Sequence, residues 1–397
     1  MPKKTPGICA LTEAVPEART LQALRFGPLL AALAVTALAL PSGLSAKENH
    51  GRCSKEVPVY ADLLIFTGGV IDPTDPVLRQ NLDRIKAARN PNGCPSAAGV
   101  VIPVLSGTVA DYNLAGIRNL MDAYGLRRHG ITITFPDRDI SSSDPAVRAA
   151  GEAFLKSRID IVKAFGGKNL TGPIVVPEAV FPTDAAGVRL TGNALVDHME
   201  QRYRNAVEPM RRVAEYAQSQ GITLGHEYIT HWEIPGQNTL SQAIAFALEV
   251  NHPSFGLLTD ISHEVHNGRG LYLWSGLMEF AVEKGIPLFV QVSEPGRGDI
   301  RNSWLPFNEF FGVLQELHVI NENSPLDVEI FDNIPGFEFL SLTRRTFADP
   351  AEIEIGGVQY SQARWQAVPG EYRKIPKGAQ KAALKLLAAD RKIYQTP

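Results

Sequence analysis

Short runs of Val, Ile and Leu recur along the chain, and the stretches between them return apolar residues at helical spacing. This is the pattern of strand-helix units that build a parallel sheet. Eight runs qualify: ADLLIFTG from Ala61, GVVIPVLSG from Gly99, GITITFPD from Gly130, IVVPEAVFP from Ile174, ITLGHEYI from Ile222, FGLLTDIS from Phe255, PLFVQVSE from Pro287 and LDVEIFDN from Leu326. The intervening helices include DPAVRAAGEAFLKSRIDIVKAFG from Asp144, capped by Ser143 or Asp144, and AVEPMRRVAEYAQSQG, which stops at Gly221. Eight units without an internal linker predict one closed (β/α)₈ barrel. The segment from Arg344 to Arg373 fits no unit and reads as an elaborated loop after the eighth strand, either a lid or a packing excursion. A last helix, from about Lys377 to Lys392, would close the outer ring.

Composition narrows the setting. A chain of 397 residues with 44% hydrophobic residues can bury a large core. Its net charge of -3 and sequence pI near 6.3 give no basic field for nucleic acid. The N-terminus has a basic stretch ending at Arg25, an apolar run from Pro28 to Leu40, and small residues at Ser45 and Ala46. Residues 1–46 therefore read as a cleaved export signal, and 47–397 as the barrel. The apolar run is shorter than the ~20 residues of a spanning helix, so no stable membrane anchor is expected. Export places the mature chain in the periplasm or outside the cell. There Cys53 and Cys94, the two cysteines beyond the signal, are expected to form a disulfide. Asn169-Leu170-Thr171 matches a glycosylation tripeptide but carries no weight, because such tripeptides are common by chance.

Active sites of such barrels lie at the C-terminal ends of the strands. Four consecutive predicted strands each carry a polar residue late in an apolar run: Glu227, Asp260, Gln291 and Glu329. They stand 33, 31 and 38 residues apart. One unit takes about 31 residues when ~250 are shared among eight, so the four should meet at one mouth. Three carboxylates and a carboxamide gathered out of water repel one another unless a cation joins them. With Gln291 presenting its carbonyl, all four donors are oxygens, which favours Mn²⁺ or Mg²⁺ over zinc. A divalent ion holding a ketone oxygen and an adjacent hydroxyl would stabilise an enediolate while one carboxylate removes the carbon-bound proton. A second carboxylate would return it on the opposite face.

These residues carry a family resemblance. HEYITHWE, with glutamates six apart, resembles the substrate-site segment of the D-tagatose and D-psicose (ketose) 3-epimerases, members of the xylose isomerase-like TIM barrel superfamily. LLTDISHEVH resembles their aspartate-x-x-histidine segment, and VQVSEPGRGDIRNSWLPFNEFFGVLQEL follows them without a gap. The similarity runs from about Ala61 to Glu329 and is strongest after Gly221. It implies metal ligation by Glu227, Asp260, Gln291 and Glu329, with Glu227 and Glu329 also forming the acid/base pair. It further implies that Glu233, His263 and Arg297 contact the substrate. His226, His231 and His266 have weaker claims and read as loop or supporting residues.

One departure matters, because the epimerases resembled here have histidine where this chain has Gln291. The 3-dehydroshikimate dehydratases of the same superfamily resemble this chain in using glutamine there, with a histidine three residues after the aspartate as base, a role His263 fits. Glu233, Glu294 and Arg297 fall where the epimerase pattern wants them. A metal-dependent sugar isomerase or epimerase therefore ranks first, a dehydratase-like lyase second and a non-catalytic carbohydrate-binding barrel third. Apurinic endonucleases share the fold but carry more histidines and a basic DNA face, neither evident here. The expected partner is a small sugar or keto-sugar, and a homo-oligomer is compatible with the sequence.

Overall fold

Eight parallel strands pair in sequence order, and the last pairs with the first, closing a barrel. They are β1 (Val59–Asp62), β2 (Gly99–Pro103), β3 (Arg127–Ile131), β4 (Asn169–Gly172), β5 (Thr223–Glu227), β6 (Phe255–Asp260), β7 (Leu288–Val292) and β8 (Leu326–Val328). The computed structural model describes residues 57–63, 71–177, 180–331 and 349–395. The predicted export signal, Cys53 and residues 332–348 lie outside them. Cys94 is 1% exposed and disulfide-bonded. Among the described residues, no helix is long and apolar enough to cross a membrane.

The ring helices follow from local signals. After α1 (Pro76–Ala87) and α2 (Leu114–Tyr124), α3 (Pro145–Phe165) starts at Asp144, whose side chain accepts the Ala146 N–H, and ends on Gly166 in the left-handed region. Helix α4 (Gly192–Gln220) likewise stops at left-handed Gly221. Then come α5 (Leu240–Val250), the short α6 (Ile261–His266), α7 (Leu271–Glu283) and α8 (Phe307–Glu316).

Four expectations are corrected here. The fourth strand is Asn169–Gly172, not the apolar run from Ile174. Gly172 has φ +120°, and a Cβ there would meet the Thr132 carbonyl oxygen at 2.1 Å. With Pro173 next, the strand cannot continue, and Ile174, Val175 and Val176 are buried in the loop beyond it. Asn169, in the tripeptide given no weight, is a buried strand residue donating to the Asn323 carbonyl at 2.7 Å. The third strand starts at Arg127, before Gly130. Its two leading arginines pair with Glu322 at 2.9 Å and Asp122 at 2.6 Å, charges that mask a strand from an apolar pattern.

The third correction concerns residues 344–373, within which 350–367 are a helix, α9 (Pro350–Ala367), and not a loop. It packs on β1, β8 and α8 and takes the eighth ring position. Its buried side includes Glu354, Gly356, Gly357, Ser361 and Gln362, so no apolar stripe betrays it. Ile353 and Val358 join the core, and polar side chains add to the attachment. Gln362 donates to the carbonyls of Val57 (2.6 Å) and Ser96 (3.1 Å), and Glu354 Oε1 accepts the Asp62 N–H at 2.9 Å. The following helix, α10 (Ala379–Asp390), covers α7 and α5 outside the ring and does not close it. A four-residue α11 (Lys392–Gln395) follows.

Candidate active site at the strand ends

Glu227 and Asp260 are the last residues of β5 and β6, Gln291 is the penultimate residue of β7, and Glu329 follows β8 directly. All four are at most 3% exposed. Asp260 and Gln291 are register partners, and the Glu329 N–H donates to the Val292 carbonyl at 3.1 Å, so neighbouring strands hold these residues side by side. Beneath them Gly225, two residues before Glu227, leaves room for Phe289. A Cβ at Gly225 would meet that ring at 2.5 Å.

Asp260 also caps α6, its Oδ1 accepting the Ser262 N–H at 2.8 Å. One turn on, fully buried His263 places Nε2 3.0 Å from Glu227 Oε1 and 3.9 Å from Asp260 Oδ2, with Nδ1 3.8 Å from Glu233 Oε2. Glu233 is fixed by Thr230, whose hydroxyl donates to Oε2 at 2.5 Å. Arg297 reaches Asp260 Oδ2 at 3.1 Å and Glu329 Oε2 at 3.2 Å, with Glu233 Oε1 at 3.8 Å. It holds a left-handed φ of 60°, its carbonyl accepts the Phe331 N–H, and its guanidinium lies 4.6 Å over the Phe331 ring. An arginine in that region is strained, and the surrounding contacts hold it there. Glu227, Glu233, Arg297 and Glu329 line one cavity with Ile229 and Phe331. A roomier one, about 410 Å³, opens beside Tyr60 and His129 at the opposite end of the barrel, away from the strand ends where such barrels do chemistry.

Burial raises the Glu227 carboxyl above its ordinary value, against the hydrogen bond and charge of His263 and the charge of Arg297. Glu329 is raised well above its ordinary value by burial, opposed by Arg297 and reinforced by Glu227, Asp62 and Asp260. Burial pulls the Arg297 guanidinium down, but the surrounding carboxylates, Glu233 and Glu329 foremost, outweigh it and the net shift is upward. The site thus gathers more buried acid than its one arginine can neutralise.

A divalent ion fits this donor set. Glu227, Asp260 and His263 offer ligand atoms within 4.8 Å of one another. Gln291 Oε1 is buried without a hydrogen-bond donor, and so is Glu329 Oε2, because the nearby guanidinium lies off the hydrogen-bond direction. Buried acceptors left this way are costly unless something else satisfies them. His263, expected to touch substrate or, in the dehydratase alternative, to act as base, therefore stands among the candidate ligands as well. The spacing of an N-cap aspartate and a histidine one turn later could have shown it. Asp62 was also missed. Reading the first strand from Ala61 placed Asp62 at its start, whereas it is the last residue of β1, 2% exposed, and its charge acts on Glu329.

The other histidines lie apart. His231 Nδ1 is 2.8 Å from Asn267 Oδ1, and His266 Nε2 contacts the Pro295 carbonyl. Glu294 accepts the Gly298 N–H at 2.9 Å. His226 is buried outside the barrel wall against Phe246 and Phe255, with Nε2 3.0 Å from Gln237 Oε1, and burial lowers its pKa to about 4. The unfolded chain, with a histidine near 6.5, binds this proton first as pH falls. Stability is therefore lost between about pH 6.5 and 4, by up to roughly 3 kcal/mol. In urea melts across that window, wild type should lose more stability than His226→Gln; parallel curves would contradict this.

Comparison with known proteins agrees with this geometry. Residues 97–336 match the family model described as xylose isomerase-like TIM barrel. An L-ribulose 3-epimerase from a Methylomonas species is 27% identical over 222 residues, 56% of this chain and 70% of that protein. A ketose 3-epimerase from Arthrobacter globiformis is 27% identical over 221 residues, 54% of this chain and 68% of the relative. Among solved structures, D-allulose 3-epimerase from Methylomonas sp. in complex with D-allulose superposes with a TM-score of 0.63 at 23% identity, covering 78% of this chain and 98% of that one. A closed eight-stranded parallel barrel, its buried carboxylates at the strand ends, and a family match over more than half its length together make this chain a member of the xylose isomerase-like TIM barrel family.

Proposed function

We propose that this protein is a divalent-metal-dependent sugar isomerase of the epimerase type, acting on a ketose or related keto-sugar. The observation that carries the proposal is the pair Glu227 and Glu329, two buried carboxyls from separate strands lining one cavity, each with a different partner. Each disfavours ionisation of the other, so one can hold a proton while the other is ionised. The ionised carboxylate takes the proton from the carbon next to the ketone, and the protonated one delivers its proton to the opposite face. Configuration inverts and no proton is consumed overall. Arg297 and Glu233 would hold substrate oxygens, and the buried walls exclude water. Mn²⁺ or Mg²⁺ held by Glu227, Asp260, Gln291 and Glu329, with His263 beside them, would supply Lewis-acid polarisation of the carbonyl. The relatives named as 3-epimerases support this reading.

The dehydratase reading needs His263 to act as base on the substrate. Fully buried, with Nε2 held 3.0 Å from Glu227 Oε1, it is better placed to orient that carboxylate. The test is to follow C3 epimers and solvent deuterium at C3 by NMR, with Mn²⁺, over a panel of ketoses, beside an assay on 3-dehydroshikimate. Gln291→His exchanges one neutral ligand for another, so ketose activity should survive or rise. Turnover of 3-dehydroshikimate without C3 exchange in any ketose would overturn the proposal.

Export is part of the same proposal, resting on the N-terminal sequence. The mature chain should begin near Lys47 and carry a Cys53–Cys94 bridge, read as intact mass with and without reductant. Two free thiols in periplasmic protein would refute the bridge.

A further inference from the structure

We infer that Ser293, which no sequence pattern singled out, is a positioning residue that sets Asp260 and Arg297 together. The inference rests on the proposed ligand role of Asp260. Ser293 stands one residue beyond β7 and two beyond Gln291, so it continues the face of the strand that carries the site. It is fully buried. Its Oγ lies 2.5 Å from Asp260 Oδ2, 2.6 Å from Ser262 Oγ and 3.1 Å from Arg297 Nη1.

Donor counting leaves one arrangement. A hydroxyl has one hydrogen and two acceptor positions, and Ser293 Oγ donates to Asp260 Oδ2, so its one hydrogen is spent there. Ser262, also fully buried, must then donate to Ser293, and Arg297 fills the second acceptor position. Every position on Ser293 is used. The Ser262 N–H holds the other oxygen of Asp260, so the carboxylate is fixed at both ends. Because Arg297 Nη1 touches both Asp260 Oδ2 and Ser293 Oγ, one hydroxyl fixes the orientation of a candidate metal ligand and of the cation proposed to hold substrate. Partners of this kind orient metal ligands and govern affinity.

The experiment titrates Mn²⁺ into metal-stripped wild type, Ser293→Ala, Ser293→Thr, Asp260→Asn and the double variant Ser293→Ala/Asp260→Asn by calorimetry, with thermal melts alongside. Ser293→Ala should lose about 10–100-fold in Mn²⁺ affinity while remaining folded. Ser293→Thr, which keeps the hydroxyl, should recover most of it. Adding Ser293→Ala to Asp260→Asn should change affinity no further, because Ser293 acts through that carboxylate. If Asp260→Asn weakens Mn²⁺ binding and Ser293→Ala does not, this inference fails while the metal reading stands. If wild type takes up no divalent ion, or Asp260→Asn binds as tightly as wild type, the metal reading fails and takes the inference with it. A lowered melting temperature with unchanged affinity would mark Ser293 as packing only.

Discussion

In Glu329→Gln, ketose turnover should fall by about 10²–10⁴-fold, the usual loss for a general acid or base, while Mn²⁺ binding weakens only modestly. The amide keeps an oxygen of nearly the same shape but cannot take or return a proton. Burial raises this carboxyl well above its ordinary value, the direction that favours the protonated form which one half of an exchange pair must supply. The loss should sit in kcat and kcat/KM together, since the missing step belongs to the transition state and not to substrate binding. Full turnover in this variant would exclude the mechanism.

Removing the arginine should act on stability as much as on activity. Arg297→Met leaves Asp260, Glu329 and Glu233 without the guanidinium they share, and stripping one partner from a buried ionic cluster costs about 3–5 kcal/mol. Methionine at φ 60° is as strained as arginine, so the backbone term cancels. Carboxyls whose folded pKa lies above the unfolded value stabilise the fold fully below the unfolded value and less as pH rises. The deficit should therefore shrink as pH falls toward the ordinary carboxyl value of 4.5 and widen toward neutrality. Urea melts in the presence of a chelator would measure it. A deficit below about 1 kcal/mol at pH 7 would mean the acids are neutralised in some other way.

Much of this was legible in the sequence, for physical reasons. A buried parallel strand is a nearly unbroken apolar run, so a carboxylate inside it is conspicuous, and the spacing of Glu227, Asp260 and Gln291 reflects the length of one repeating unit. What stayed hidden is equally instructive. Gly172 and Pro173 end β4 before its most apolar residues begin, so hydrophobicity pointed past the strand to the loop. Helix α9 buries Ile353 and Val358 but interleaves them with Glu354, Ser361 and Gln362, so no continuous apolar stripe is there to read. Ser293 and Ser262 are ordinary residues in sequence, and their meaning arises only where two neighbouring strands and an arginine bring three donors to one carboxylate.

The glutamate of α9 that accepts the Asp62 N–H also bears on the order in which the molecule is assembled. Strand β8 ends at Val328, too early to supply that acceptor from its own backbone. Synthesis delivers β1 first and Glu354 nearly three hundred residues later. The first strand made thus waits for one of the last helices before its catalytic end is fully bonded, and a nascent chain can build most of its barrel wall while the reaction chamber is still unfinished. On the proposed mechanism, the end of the barrel that would carry the proton transfer is complete only once the C-terminal portion has docked, which joins completeness of the chain to competence of the site.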